Sequence, residues 1–264
     1  MRNKLIIISI LLLLIIISYI YISFIIINSY SKVEENYNNL NNVNYLSKLD
    51  SQEFILSDVD NYIKNMTIYD LYARKVKDSN EYINKIVHSC LDFTEEQKDK
   101  LNRCIYKAQN YFNNGYTWNI SQIDYLYEEG FPHTRGTIIF LSPTVINYND
   151  DELTKTLIHE SIHIYQRFNK KEVSDYLFKN GIQISRKKGT DEKDKFIRAN
   201  PDLDDYIYMD DKGNEMIAYY NSEKPNGIGD IYLTNLLNEH PYEKMAYDIA
   251  DNYYKSLLMK YKDV

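Results

Sequence analysis

The residues whose types and spacing can do chemistry are His159-Glu160-Ser161-Ile162-His163, an H-E-x-x-H pattern. On a helix, two imidazoles four positions apart lie on one face, about 5–6 Å from each other. That separation lets both grip one metal ion, and the glutamate beside the first can then act on a metal-activated water. With 5 His in 264 residues, the pattern is uncommon as an accident of composition. The plainer alternative is a surface helix with two solvated histidines. Leu153, Leu157, Ile158, Ile162 and Ile164 argue against it, because they make the helix apolar on most sides. Buried imidazoles on such a helix are better explained by a metal than by solvent.

The elements that must position the pair come next. Asn149 can cap the helix, Glu152 follows three residues later, and Asp150 and Asp151 fall in the first turn, where negative charge is favoured. Two histidines do not make a stable catalytic zinc site; a third protein ligand is needed, with the fourth position left open. No third histidine follows closely, since residues 164–170 contain none. A later helix offers a carboxylate instead. In Glu239-His240-Pro241-Tyr242-Glu243, Pro241 suits the first helical position and puts Glu243 in the first turn. Ala246 and Ala250 on nearly the same face would let this helix come close to the first. Glu243 is the preferred third ligand, and Glu239, His240 and Glu215 are the alternatives.

His159-Glu160-x-x-His163 followed by Glu243-x-x-Ala246 on a second helix resembles the gluzincin branch of the zincin metallopeptidases. The phrases PHTRG, HESIHIYQR and EHPYEKMAYDIA also resemble uncharacterised zincin-like membrane proteins of large DNA viruses. The likeness spans roughly Tyr116 to Asp251, and the interval from His163 to Glu243 is longer than in the best-known gluzincins. The resemblance implies a Zn2+ cofactor held by His159, His163 and Glu243. It also implies an upstream edge strand that binds the substrate backbone, here Ile138, Ile139 and Phe140. The activity expected is that of a zinc metalloendopeptidase acting on a peptide or protein. Glu160 would be the general base, moving a proton from water to the leaving amine. His240 is the favoured donor to the developing oxyanion; His133, Arg198, Tyr206, Tyr208 and Tyr219 are weaker candidates. The competing expectation is an inactive zincin-fold scaffold or envelope protein with a structural metal.

The whole chain bounds these readings. Its net charge of −7 and the lack of a basic face exclude a nucleic-acid partner. Cys90 and Cys104 are neither a metal motif nor a disulfide framework, and read as buried thiols. Leu5 to Ile27 is apolar and long enough for a membrane anchor. Arg2 and Lys4 before it predict a cytosolic N-terminus and a lumenal or extracellular C-terminal domain, in a viral or host endomembrane. The expected organisation is a cytosolic stretch 1–4, a transmembrane helix 5–27, a polar stalk 28–52, a helical subdomain 53–114 and a zincin-like metallopeptidase domain 115–264. Scarcity of Gly and Pro before Gly115 supports the helical subdomain, and β-branched residues around Tyr116–Ile123 and Gly136–Leu141 predict two strands. The fold class expected is α+β, mostly helical, with a small β-sheet beside the helix that carries the histidines.

Overall fold

Short-range hydrogen bonds set most helix starts in the computed structural model, which describes residues 15–22, 43–235 and 238–260. Ser47, Thr67 and Thr94 each form a reciprocal capping box, with Asp50, Asp70 and Gln97 respectively. They open α1 (Lys48–Ser57), α2 (Ile68–Ala73) and, after α3 (Ser79–Val87), α4 (Glu95–Tyr111). Ser142 caps the one-turn α5 (Pro143–Ile146), with proline at its start. The Asn149 side chain accepts from the Glu152 amide and opens α6 (Asp150–Phe168). α7 (Lys170–Lys179) follows, and α8 (Pro241–Lys260) is the last helix described. Each cap satisfies an otherwise orphaned amide, at about 1 kcal/mol apiece.

The fold is α+β. Its main sheet contains β1 (Val43–Tyr45), β2 (Cys90–Leu91), β3 (Trp118–Ile123), β4 (His133–Arg135) and β5 (Ile138–Leu141). β3 pairs in parallel with β5 on one side, and β5 pairs antiparallel with β4. On its other side β3 takes β1 in parallel, at Trp118–Ile120, and β2 antiparallel, at Gln122 and Ile123. Gly136, at a φ of 58°, makes the tight turn from β4 to β5, a backbone conformation that a side chain would strain. Two smaller sheets follow. One contains β6 (Gln183–Lys187), β7 (Tyr206–Met209) and β8 (Glu215–Met216); the other is the ribbon of β9 (Ala218–Tyr220) and β10 (Ile231–Leu233).

α6 lies against α4, α8 and β4. Leu153, Leu157, Ile158 and Ile162 on it are fully buried. Each such side chain contributes about 1.5–3 kcal/mol of burial free energy, so α6 is fixed by its apolar surface before any metal is considered. A second cluster, including Ile55, Ile63, Tyr82, Ile86, Ile123 and Phe140, joins the N-terminal helices to the sheet. Cys90 and Cys104 are buried and free, and burial pushes the Cys90 thiol up to about 11.

Three expectations about organisation need correction. The described residues from 43 onward form one compact unit, with no boundary between the expected helical subdomain 53–114 and domain 115–264. The reason is that β1 and β2, from the region read as stalk and helices, complete the sheet built on β3, while α4 packs on α6. The stalk 28–52 fails likewise over its described part, where β1 and the start of α1 belong to the fold; 28–42 lie outside the described residues. The single-pass membrane reading is overturned as well. Among the described residues no helix is long and apolar enough to cross a membrane. Of the expected span 5–27, residues 15–22 are described and helical, too few by themselves for the roughly 20 a crossing needs; the others, and 1–4, lie outside the described residues. The expected cytosolic N-terminus and lumenal or extracellular domain rest on that span and fall with it.

Candidate metal centre

α6 and α8 run antiparallel. Near one end the Lys155 ammonium meets Asp251 at 2.5 Å; further along, the rings of His159 and Tyr247 lie 4.5 Å apart; at the other end Gln166 Nε2 donates to the Tyr242 carbonyl at 2.9 Å. Ala246 and Ala250 are fully buried, so α8 brings little bulk to this side and the helices can approach closely.

That approach brings His159, His163 and Glu243 together. The Nε2 atoms of the two histidines are 3.1 Å apart. Glu243 Oε2 lies 3.2 Å from His159 Nε2, and its Oε1 lies 3.8 Å from His163 Nε2. Ligands bound at about 2.0–2.1 Å in a tetrahedron sit about 3.3 Å from one another, so three potential ligand atoms stand at the spacing a small ion requires. The group could hold a metal ion. The contact between His163 and Glu243 is not an ion pair, because burial pushes the His163 imidazole down to about 3 and keeps it neutral.

Two of the three potential ligands, His163 and Glu243, are held from behind. His163 Nδ1 is 3.0 Å from Gln166 Oε1; with the proton on Nδ1, it donates to the amide oxygen and leaves Nε2 bare. Asn200 Nδ2 donates to Glu243 Oε1 at 3.1 Å and to Glu239 Oε1 at 2.8 Å. Glu239 also accepts from Arg198. Glu160 sits beside the group without joining it, its Oε2 accepting from Thr134 Oγ1 at 2.9 Å. Burial lifts the Glu160 carboxyl well above the usual carboxylate range, and the charge of Glu243 adds to the effect. Burial does the same to Asp202, whose Oδ1 accepts from the Thr134 amide.

A cleft of about 1170 Å³ opens onto this group and is lined by, among others, Pro132, Lys155, Glu160, Pro201, Ile231 and Tyr247. Tyr247 is about half exposed (48%), on α8 one turn beyond Glu243. Burial, together with the nearby charges of Glu243 and Glu160, pushes its phenol up to about 12, so it stays a proton donor at neutral pH.

The structure disposes of the remaining sequence candidates one by one. His240 does not reach the cleft. It precedes α8 and turns back on it, with Nδ1 accepting from the Tyr242 amide at 3.2 Å and Nε2 facing Asp204 Oδ1 at 3.3 Å. Closeness to Glu243 in sequence misled because the residue before a helix spends its side chain on the helix's own amides. Ile138, Ile139 and Phe140 are buried and belong to β5, which is paired on both sides, so their backbone cannot take up a substrate strand. The edge beside the cleft is β4, which lies outside the two strands predicted from the sequence. Even there, the amide of Thr134 is taken by Asp202, and its carbonyl accepts from Arg167 Nη2 at 2.8 Å.

His133 lines the cleft but stacks on Phe140, bonds to the Phe131 carbonyl through Nδ1, and is held neutral by burial, pushed down to about 4. Arg198 lines it too, bound to Glu239. Glu215 is elsewhere, bonded to Ser185 and Arg186. Tyr206, Tyr208 and Tyr219 belong to β7 and β9, and none lines the cleft. Thr134, Gln166, Asn200 and Tyr247 were missed. Only Gln166 and Tyr247 had a usable signal, as the residues three after His163 and four after Glu243, each on its neighbour's helix face. In comparisons with known proteins the chain matches no family profile, no curated protein and no solved structure.

Proposed function

We propose that this chain is a zinc-dependent peptidase of the gluzincin type, with a zincin-like arrangement of α6, α8 and the edge strand β4. The observation that carries the reading is the convergence of His159, His163 and Glu243 at the mouth of a cleft, with Glu160 beside them and held off by Thr134. The set of two imidazoles and one carboxylate matches zinc in its catalytic, three-ligand form. Bound there, zinc would act as a Lewis acid toward a peptide carbonyl and make a nearby water acidic enough to attack at neutral pH.

The chain's own residues supply the rest. Glu160 takes the proton of the attacking water and delivers it to the leaving amine. The Thr134 hydroxyl fixes which oxygen does the work. The Tyr247 phenol donates a hydrogen bond toward the oxyanion that develops on the scissile carbonyl. Gln166 and Asn200 orient His163 and Glu243 from behind.

Two measurements test the reading. Metal analysis of the purified chain should find about one zinc per molecule. Glu160→Gln should retain that zinc and lose about 10²–10⁴-fold in the rate of cleaving a peptide library. Zinc-free protein would remove the metal from the account; unchanged cleavage by the variant would remove the base.

A second reading is favoured by Asp202, whose carboxylate lies within 4.8 Å of ligand atoms of His163 and Glu160. An ion held by that second set, Glu160, His163 and Asp202, would take Glu160 as a ligand, and with a fourth protein ligand it would be structural and closed to water. Cobalt substitution separates the two, because a spectrum with a water ligand supports the peptidase and one with four protein ligands supports the scaffold.

A further inference from the structure

Gln166 is fully buried, three residues beyond His163 on α6, and it is committed at both ends of its amide. Its oxygen faces His163 Nδ1 at 3.0 Å, and its nitrogen donates to the Tyr242 carbonyl at 2.9 Å. A primary amide can be oriented only one way here. The Tyr242 carbonyl has no proton to give, so the NH₂ end must face it and the oxygen must face the imidazole. The imidazole must then carry its proton on Nδ1, which leaves Nε2 as a bare lone pair directed at His159 and Glu243. Tyr242 is the residue immediately before Glu243. One side chain therefore sets the tautomer of one proposed ligand and ties down the start of the helix that carries another.

We propose that Gln166 is the positioning residue of the metal centre: it selects Nε2 of His163 as the coordinating atom and ties that choice to the docking of α8. The proposal rests on the metal reading above but concerns a residue outside the ligand set. Alternative partners for His163 Nδ1 are absent among the described residues, where Gln166 Oε1 is the one hydrogen-bond partner of that nitrogen. A neutral amide as acceptor, in place of the carboxylate often found behind a zinc-bound imidazole, adds no further negative charge to a site that already buries Glu160, Asp202 and Glu243.

The test separates orientation from simple helix tying. Gln166→Glu keeps an acceptor for His163 and loses the donor to Tyr242; Gln166→Met loses both. Zinc affinity of the full-length chain is measured by competition with a chromophoric chelator. Gln166→Met should weaken binding about 10–100-fold, and Gln166→Glu should stay within about threefold of the parent. Equal losses in both variants would mean that the amide merely ties the helices, and parent-like affinity in Gln166→Met would remove the role altogether. An independent readout needs no variant. In the metal-free parent chain, ¹⁵N-detected correlation spectra should show His163 protonated on Nδ1, and a proton on Nε2 would overturn the proposal. If the parent chain itself binds no zinc, the underlying metal reading falls, an outcome distinct from any difference between the variants.

Discussion

Two of the buried polar clusters in this fold, one around Arg74 and one around His163, differ in who supplies the counter-charge. Around Arg74 the protein supplies its own. Arg74 makes a two-pronged contact with Glu128, at 2.9 and 2.5 Å, and Glu128 also accepts from the Tyr82 hydroxyl. Asp70 nearby accepts from the Ala199 amide and the Tyr220 hydroxyl, at 2.8 and 3.0 Å. Burial pushes the Glu128 carboxyl up, but the Arg74 guanidinium outweighs it and holds the group below its usual range. Around His163 the balance is missing. Glu160, Asp202 and Glu243 are buried together, Arg198 is occupied by Glu239, and Arg167 lies 3.7 Å from Asp202. Burial lifts Glu160 and Asp202 instead of leaving them comfortably ionised. Buried carboxylates in excess are costly unless something positive arrives. The first cluster is complete as a piece of architecture; on the metal reading proposed above, the second is completed by a cation.

The contrast can be broken from either side. The largest effect is expected at the balanced cluster. Arg74→Met leaves Glu128 buried without its partner and should cost about 3–5 kcal/mol in urea unfolding, with zinc stoichiometry unchanged in the folded fraction. A loss below about 1 kcal/mol would show that the pair is not structural. On the other side, Tyr247→Phe should lower the cleavage rate about 100-fold while stability and zinc content hold, as expected for removal of one donor to a developing oxyanion. Unchanged turnover would exclude the phenol from the reaction. The smallest effect is on acid stability. The folded-state carboxyls of Glu128 and Asp60 lie below their unfolded values, held there by Arg74 and Arg135 against the push of burial. Their contribution is therefore fully present above the unfolded value near pH 4–4.5 and is lost as pH falls through the folded ones. Each unit of depression is worth about 1.4 kcal/mol. Arg74→Met should flatten that part of the pH–stability curve, and an unaltered curve would count against the balanced-cluster account.

The site was more legible in the sequence than the architecture around it. α6 could be read from Asn149, the acidic first turn and the apolar positions behind His159 and His163, since helix caps and helix faces are local properties. The start of α8 followed from Pro241 for the same reason. The sheet could not be read in this way. β1, β2 and β4 are two or three residues long, too short for an alternating pattern, and they are strands because of what they pair with. That is why β1 falls within the expected stalk, β2 within the expected helical subdomain, and β4 outside the two predicted strands. Residues that act through a hydrogen bond across the fold, Thr134 and Asn200 among them, carry no spacing rule at all. His240 shows the opposite failure: a residue type suited to catalysis, in a suitable place along the chain, committed by local geometry to another task.

Antiparallel packing of α6 and α8 has a consequence for how the chain is made. Glu243 follows His163 by 80 residues. At a synthesis rate of roughly 5–20 residues per second, the two imidazoles emerge several seconds before the carboxylate that faces them. On the metal reading proposed above, the nascent chain throughout that interval offers a two-point chelate that a passing ion can enter and leave. The arrival of α8 converts it into a three-point grip, and Gln166 closes on the Tyr242 carbonyl in the same event. On that reading the helix works as a latch, placing the moment of metal commitment late, after the sheet strands and α6 have been made.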